Sequence, residues 1–408
     1  MAAVKRKKKH RVNDFVKREK NKEMSSLEVV VKVLGDFFRH FDLLQIIPLV
    51  GLLFIGLLFI RSTGQQVGGH HVQLFQQQII YMCFGLVCWF FLLFIDYRWF
   101  GTLSPVIYLL AMIILGCVLE FGVVRNNAKR WIDLGSISVQ PSEFGKFAVL
   151  FLTSWLLSRK KISVNHTGWF LLIILLTAIP FALISMEPDL GTAITLLPMV
   201  IGIMFVARLK WLHIFVILTL FATTLAISLP FVFSKLKPYQ KERILTFLDP
   251  ERDPLNRGWN AIQSEIAVGT GGFLGKGYGQ GTQATLKYLP QMVVDSDFIF
   301  PVIAEETGFV GCFLLIFLFA ILLFSILRTA MLAPDDFGRY LCVGVAVLMF
   351  THIFINIGMC IRIIPISGLP LPLISYGGTF LVAILIYLGI VQSVYSHRNT
   401  TSKFVADD

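Results

Sequence analysis

Charged residues are scarce in this sequence. Only 15% of its 408 residues are Asp, Glu, Lys or Arg, whereas soluble domains average about a quarter. Hydrophobic residues make up 56% of the chain, and Phe alone occurs 37 times. So little polar surface cannot cover a body that faces water on all sides. The composition therefore excludes an ordinary soluble domain and indicates a protein that is covered by lipid.

Paired cysteines and clustered histidines are also lacking. The six Cys lie in apolar stretches and none form a C-x-x-C pair, so we interpret them as small buried hydrophobic residues. The eight His are scattered, and the neighbours His70 and His71 have no carboxylate at ligand spacing. These absences argue against disulfides and against a metal site built on His or Cys.

The charge that is present concentrates near the N-terminus. The formal net charge is +11, and a basic stretch that begins at Lys5 fills much of the first 40 residues. A basic run can bind nucleic acid, but one that leads into a membrane span is typical of the cytoplasmic side. We therefore predict that residues 1–42 form a cytoplasmic tail that attracts anionic membrane lipids and binds no nucleic acid. The tail is too charged to be a signal peptide and lacks a cleavage site.

A second pattern lies within this tail, at residues 25–41. Ser25 and Glu28 fit a capping box, and apolar residues follow at helical spacing. The pattern predicts an amphipathic helix on the membrane surface. The alternative is a simple cytoplasmic extension of the first span.

Ten apolar runs follow, each near the length that crosses a bilayer. No polar linker divides them, so the sequence predicts an all-α polytopic membrane protein with about ten transmembrane helices in one domain, residues 43–396. The runs are 43–60, 76–95, 103–124, 141–158, 168–186, 190–207, 211–233, 298–327, 338–362 and 376–394.

The charges of the short loops indicate the orientation. With the N-terminus inside, every short inward loop carries a cation, as the positive-inside rule requires. This orientation places both termini in the cytoplasm, including the tail at 397–408. It also places the longest loop, residues 234–297, outside the cytoplasm. Loops of that length are usually functional or disordered, and apolar patches in this one favour an ordered loop.

Polar residues recur on the outer side of the predicted bundle, where the bilayer makes them expensive. The first group contains Arg130, Trp131, Glu143 and Lys146. Pro141 suits the first turn of a helix, so Glu143 and Lys146 lie three residues apart on one helix face. A buried charge is tolerable only when it is paired. These two residues are therefore either a structural ion pair or part of a substrate site.

The second group is Glu187-Pro188-Asp189, at the start of a span. A carboxylate there can cap the free N–H groups of a helix, so Asp189 is either a structural cap or a catalytic group. The third group lies in the long loop and contains Arg243, Gln263, Ser264 and Lys276. The glycine run around Lys276 departs from the strict phosphate-loop pattern, yet its glycines permit close backbone approach to a diphosphate.

The fourth group is residues 365–378, where Pro and Gly are dense and which includes Ser375. Such density breaks a helix at membrane depth, which is allowed only where the chain lines a cavity. We therefore count Ser375 among the candidate substrate-binding residues.

The four groups, in this order, resemble the SEDS family (shape, elongation, division and sporulation), the glycosyltransferases that polymerise peptidoglycan. The resemblance covers most of residues 43–394. Within the family, Gly281-Thr282-Gln283, the run from Asp249 to Pro254 and Asn356-Ile357-Gly358-Met359 are more similar to the elongation branch than to the division branch.

The resemblance implies lipid II as the substrate and an Asp at the exit of the long loop as the catalytic group. The family's usual run there is Pro-Glu-x-His-Thr-Asp-Phe. This chain has a run from Pro290 to Phe298 that is longer by two residues and lacks the first Glu and the His. Alignment on Asp-Phe-Ile-Phe assigns the role to Asp297 and leaves Asp295 as a rival.

The implied reaction is an inverting glycosyl transfer from a polyprenyl diphosphate. Asp297 would act as general base on the 4-hydroxyl of the acceptor GlcNAc. The cations expected to stabilise the departing diphosphate are Arg130, Lys146, Arg243 and Lys276. No cofactor is demanded, although a divalent cation, Mg²⁺ or Mn²⁺, held by a carboxylate and the diphosphate would also serve. Trp131 would stack on a sugar or mark the membrane interface.

The family also implies a bacterial cell (inner) membrane and a class B penicillin-binding protein as the cross-linking partner. A rival function is a transporter that flips lipid II across the bilayer, which intramembrane charges would equally support. A polymerase for division or sporulation is a second alternative, and a scaffold for other wall proteins is a third. Because the motifs gather on one side and the cytoplasmic loops are short, the sequence favours the enzyme.

Overall fold

The computed structural model describes residues 41–68, 70–125, 128–133, 138–210 and 257–399, with a few isolated positions between 213 and 249. Three predictions fall outside these residues: the basic tail with nearly all of its amphipathic helix, most of the seventh span (211–233), and Arg243. They stay predictions.

Helices dominate the described part of the chain. Their bounds are α1 Leu43–Val67, α2 His70–Leu92, α3 Arg98–Phe121, α4 Pro141–Ser158, α5 Thr167–Met186, α6 Leu190–Val206, α7 Arg257–Thr270, α8 Thr282–Thr285, α9 Ile299–Leu332, α10 Asp336–Cys360 and α11 Gly378–Ser396. A single 3₁₀ turn, Gln291–Val293, precedes α9.

Seven of these helices are long and apolar enough to cross a membrane, namely α1, α2 (over Val72–Leu92), α3, α5, α9, α10 and α11. The predicted class, an all-α polytopic membrane protein, is thereby confirmed. Of the other predicted spans, α4 carries two charged residues and α6 has only 17 residues. The count of ten spans stays a prediction.

The centre of the bundle is formed by α10 and α11. In their most apolar windows 72% and 78% of the residues are buried, against 22% in α2 and in α5. Small residues allow the close packing: a Cβ on Gly344 of α10 would lie 2.3 Å from Leu150 of α4. Helices around this centre expose Phe, Leu and Ile side chains outward, as a lipid-facing surface requires.

A small antiparallel sheet connects α3 to α4, which the sequence analysis did not predict. Its strands are β1 Val123–Arg125, β2 Ala128–Asp133 and β3 Ser138–Val139, in the order β1-β2-β3. Ile132 pairs with Val139 in its second ladder. Thr379 Oγ1, at the start of α11, donates to Ser138 O at 2.9 Å and ties the sheet to the bundle. The sheet thereby fixes where Arg130 and Trp131 lie.

A break divides α9 at Gly308, where φ is 64° and ψ is −158°. Residues 309–332 are about 36 Å long at 1.5 Å per residue, enough to cross a bilayer on their own. The glycine run of the long loop packs against the break: Phe309 N donates to Gly272 O at 2.9 Å, and Gly277 N to Glu306 O at 3.0 Å. A Cβ on Gly275 would lie 2.2 Å from Glu306 O. The close approach expected toward a diphosphate is thus made, at Gly275, toward the backbone of α9.

Candidate active site

Asp297 ends a tight turn that leads from the 3₁₀ helix into α9. Its backbone N–H donates to Val293 O at 2.9 Å. Asn356 of α10 donates through Nδ2 to Asp297 O at 3.0 Å and to Leu369 O at 2.7 Å, and so joins the turn to the Pro- and Gly-rich segment. The Asp297 residue is half-buried, and its Oδ2 would lie 3.4 Å from a Cβ on Gly368, whose φ is 75°. The carboxylate therefore lies beside that segment.

Asp295 has a different environment. The residue is 3% exposed, and its Oδ1 accepts a hydrogen bond from Thr63 Oγ1 of α1. Its carbonyl oxygen accepts from Tyr376 N at 2.8 Å. Asp295 is therefore bound between α1 and the segment that precedes α11, while Asp297 is the more accessible of the two carboxylates.

Residues 365–377 are not helical, which agrees with the predicted helix break at membrane depth. Ser375 lies in this segment and is 1% exposed. Its Oγ accepts from Leu371 N at 2.8 Å and donates to Ser296 O. Its hydroxyl thus joins the segment to the turn that carries Asp297. Ser375 is therefore a buried structural support of the site.

The candidates on α7 have structural contacts. Ser264 Oγ donates to Cys360 O at the end of α10, at 2.8 Å. Ser264 is 0% and Gln263 is 7% exposed. Both residues are buried, and the hydrogen bond of Ser264 holds α7 against the helix that carries Asn356.

Arg130 and Asp189 form an ion pair between β2 and α6. Arg130 Nη1 lies 3.5 Å from Asp189 Oδ1. Gln140 Nε2 donates to the other oxygen at 2.9 Å, and Thr192 N donates to Oδ1 at 3.3 Å as a helix cap. Asp189 therefore caps α6, as predicted, and also pairs with Arg130, one of the cations expected at the diphosphate. Trp131, the next residue on β2, is half-buried.

Glu187 is a residue of this group that sequence reasoning did not select. It is 1% exposed, and its two carboxylate oxygens make no hydrogen bond among the described residues. Burial, and to a smaller extent the charge of Asp189, raise the pKa of Glu187 to about 8 against the opposing effect of Arg130. The signal that could have found it is its position two residues before Asp189 at a span end.

Glu143 and Lys146 form the predicted ion pair, with Lys146 Nζ 2.8 Å from Glu143 Oε1. Lys146 Nζ also lies 3.4 Å from Nε2 of His352 on α10 and 5.5 Å from the centre of the Phe380 ring. All three polar residues are at most 3% exposed. Glu143 Oε2 makes no hydrogen bond among the described residues. The two buried charges thereby pair with each other, and Glu143 Oε2 can still accept a hydrogen bond.

These groups meet around residues 367–370. A Cβ on Gly191, in the first turn of α6, would lie 2.9 Å from Ser367 O. Gly368 lies beside the Asp297 carboxylate, and the backbone of Pro370 lies beside His352. Three residues of this segment thus lie beside three parts of the site: Ser367 beside Gly191 of α6, Gly368 beside Asp297, and Pro370 beside His352.

Lys276 is engaged elsewhere. Its Nζ lies 2.6 Å from Oε1 of Glu305, which is 0% exposed, and 2.7 Å from Thr282 Oγ1. The same Glu305 oxygen accepts from Thr282 N at 3.0 Å. Lys276 therefore holds the glycine run against α9.

Within the described residues no group of three or more His, Cys, Asp or Glu is arranged to hold a metal ion.

The architecture is that of a multi-pass membrane protein with carboxylates and paired cations gathered at one end of the bundle. The chain belongs to the FtsW, RodA and SpoVE family of cell cycle proteins, whose profile matches residues 40–400. The SEDS resemblance of the sequence is thereby confirmed.

Individual proteins of known name or structure agree. Peptidoglycan glycosyltransferase MrdB of Escherichia coli K12 is 37% identical over 90% of this chain and 96% of its own length. A solved structure described as the structural coordination of polymerization and crosslinking by a peptidoglycan synthase complex is 30% identical, with a TM-score of 0.76 over 88% of this chain and 99% of that one. The crystal structure of the rod shape determining protein RodA of Thermus thermophilus is 26% identical, with a TM-score of 0.66 over 88% and 98%.

Proposed function

We propose that the protein is a peptidoglycan glycosyltransferase that polymerises lipid II into glycan strands during cell elongation. The family membership and the names of its relatives support this activity. The observation that carries it is the half-buried Asp297 carboxylate beside Gly368, at the end of the bundle where Arg130 and Lys146 also lie.

Asp297 acts as the general base. Its carboxylate takes the proton from the 4-hydroxyl of the acceptor GlcNAc as that oxygen attacks the anomeric carbon of the donor. The bond from that carbon to the diphosphate breaks, and the configuration inverts because attack comes from the opposite face. Asp295 is poorly suited to this role, since its carboxylate is buried against Thr63.

Of Arg130 and Lys146, Arg130 is better placed for the leaving diphosphate. Its side chain is 26% exposed, whereas Lys146 is 0% exposed and paired with Glu143. A guanidinium can bind two phosphate oxygens at once, which suits charge that develops as the bond breaks.

The cellular setting follows from the same proposal. The protein lies in the bacterial inner membrane with both termini in the cytoplasm and the long loop outside, where lipid II is polymerised. A class B penicillin-binding protein is the cross-linking partner, which the likeness to a peptidoglycan synthase complex supports.

The test uses purified full-length protein in detergent, with lipid II as substrate and glycan chain length as the readout. Asp297→Asn is expected to abolish polymer formation. Asp336→Asn is the matched control, because Asp336 forms an exposed pair with Arg339 away from the site. Full polymerisation by Asp297→Asn would refute the assignment of the base. Movement of lipid II between leaflets of a vesicle without any polymer would favour the transporter.

A further inference from the structure

The last turns of α1 carry buried polar side chains, although residues 46–60 of this helix are apolar. Ser62 and Thr63 are 0% exposed, and Gln66 is half-buried. Buried polar groups are costly unless they form hydrogen bonds. We call these three residues the α1 anchor, because their partners beyond α1 include two carboxylates that flank Asp297 in the chain.

The α1 anchor contacts the chain on both sides of Asp297. Thr63 Oγ1 donates to Asp295 Oδ1, two residues before Asp297. Ser62 Oγ donates to Glu306 Oε1 at 2.8 Å, and Gln66 Nε2 donates to the same oxygen. Glu306 is 1% exposed and also accepts from Gly279 N at 2.9 Å. The segment from Asp295 to Glu306 is therefore tied to α1 at two points.

The remainder of α9 does not fix this segment by helical continuity. Gly308 interrupts the helix, so residues 299–307 can take a direction different from that of residues 309–332. The position of Asp297 then depends on contacts that its own segment makes. These contacts include the hydrogen bond from Asn356 to Asp297 O, those of Tyr376 and Ser375 with the turn, and, on the other side, the α1 anchor.

We propose that Thr63 and Ser62 are positioning residues for the reaction, which set the place of the Asp297 carboxylate through Asp295 and Glu306. This inference rests on the function proposed for Asp297. A general base works only within hydrogen-bond reach of the proton it removes, and a misplacement of about 1 Å can lower a rate about a hundredfold. Loss of positioning lowers kcat and leaves KM for lipid II nearly unchanged, because the groups that bind substrate stay in place.

The experiment compares Thr63→Val, which removes the hydroxyl at nearly constant shape, with Thr63→Ser, which keeps it. Initial rates of strand formation are measured against lipid II concentration with the full-length protein. Thr63→Val is expected to lower kcat about tenfold and to keep KM within about twofold, and Thr63→Ser to recover most of kcat. Thr177→Val is the matched control: its buried hydroxyl donates to Ile173 O within α5, and both constants should stay at their original values.

Two results would overturn the inference: an unchanged kcat in Thr63→Val, or an equal loss in Thr63→Val and Thr177→Val. If Thr63→Val does not fold, Ser62→Ala replaces it, because it removes a hydrogen bond to Glu306; an unchanged kcat then overturns the inference as well. Asp297→Asn is measured in parallel. Activity in that variant would remove the proposed base, whereas an inactive Asp297→Asn beside a normal Thr63→Val would remove only the role of the α1 anchor.

Discussion

Arg130 Nη1 lies 3.5 Å from Asp189 Oδ1, and Asp189 is also bound by Gln140 and by the backbone N–H of Thr192. Because Asp189 has these two further donors, Arg130 can turn toward a diphosphate without leaving Asp189 unsatisfied. Under the proposed function, the ion pair would orient the guanidinium before the diphosphate binds.

Arg130→Gln removes this guanidinium and is expected to lower the polymerisation rate by about two orders of magnitude, the usual effect of losing one donor to a developing charge. Arg130→Lys should recover only part of the rate, since an ammonium cannot form the two parallel contacts. Steady-state rates with purified lipid II check both. Arg362→Gln, at an exposed pair with Glu265, is the control, and an equal decrease there would contradict the assignment.

Lys146→Met leaves Glu143 as an unpaired buried charge, and we expect a loss of roughly 3–5 kcal/mol of stability. Glu143→Gln combined with Lys146→Met should recover most of it, because both charges are then removed. Thermal unfolding in detergent measures the effect. The double variant also decides between the two interpretations of the pair: normal polymerisation means a structural ion pair, whereas a stable but inactive protein means a role toward substrate.

Glu187 predicts a dependence of stability on pH. Its pKa is raised from 4.5 to about 8 by burial, so between these values the folded protein holds a proton that the unfolded chain has lost. Stability therefore falls as pH rises through this window, since the unfolded state binds fewer protons. Glu187→Gln removes this contribution, and its melting temperature should fall less between pH 5 and pH 8 than that of the unaltered protein. Identical slopes for the two proteins would contradict the assignment.

The seven spans that the described residues contain were predictable because the bilayer imposes a length and a hydropathy on every crossing helix. The pairing of Glu143 with Lys146 was also predictable, because residues three apart on one helix lie on the same face. The full length of α1 was not predicted, because the predicted span ended with the apolar run at residue 60. The structure continues it to Val67, and contacts with Glu306 and Asp295 make the polar residues of its last turns compatible with burial.

Other parts depend on partners distant in the chain. The sheet of β1 to β3 has strands of two to six residues, too short for an alternating pattern to stand out. The different environments of Asp295 and Asp297 could not be predicted, because Thr63 lies 232 residues from Asp295 and Asn356 lies 59 residues from Asp297 in sequence. Lys276 was expected at a diphosphate, but the sequence could not show that Glu305 would neutralise it.

The break at Gly308 also lies between Asp297 and the part of α9 that is long enough to cross the bilayer. A span adapts to local membrane thickness by tilting. Beyond the glycine, residues 309–332 follow a direction of their own, while Glu306 is bound to α1 and Asp297 to α10. An unbroken rod of 34 residues would transmit each such tilt to the carboxylate at its tip. Under the proposed function, the break therefore lessens the effect that a tilt of residues 309–332 has on the position of the Asp297 carboxylate.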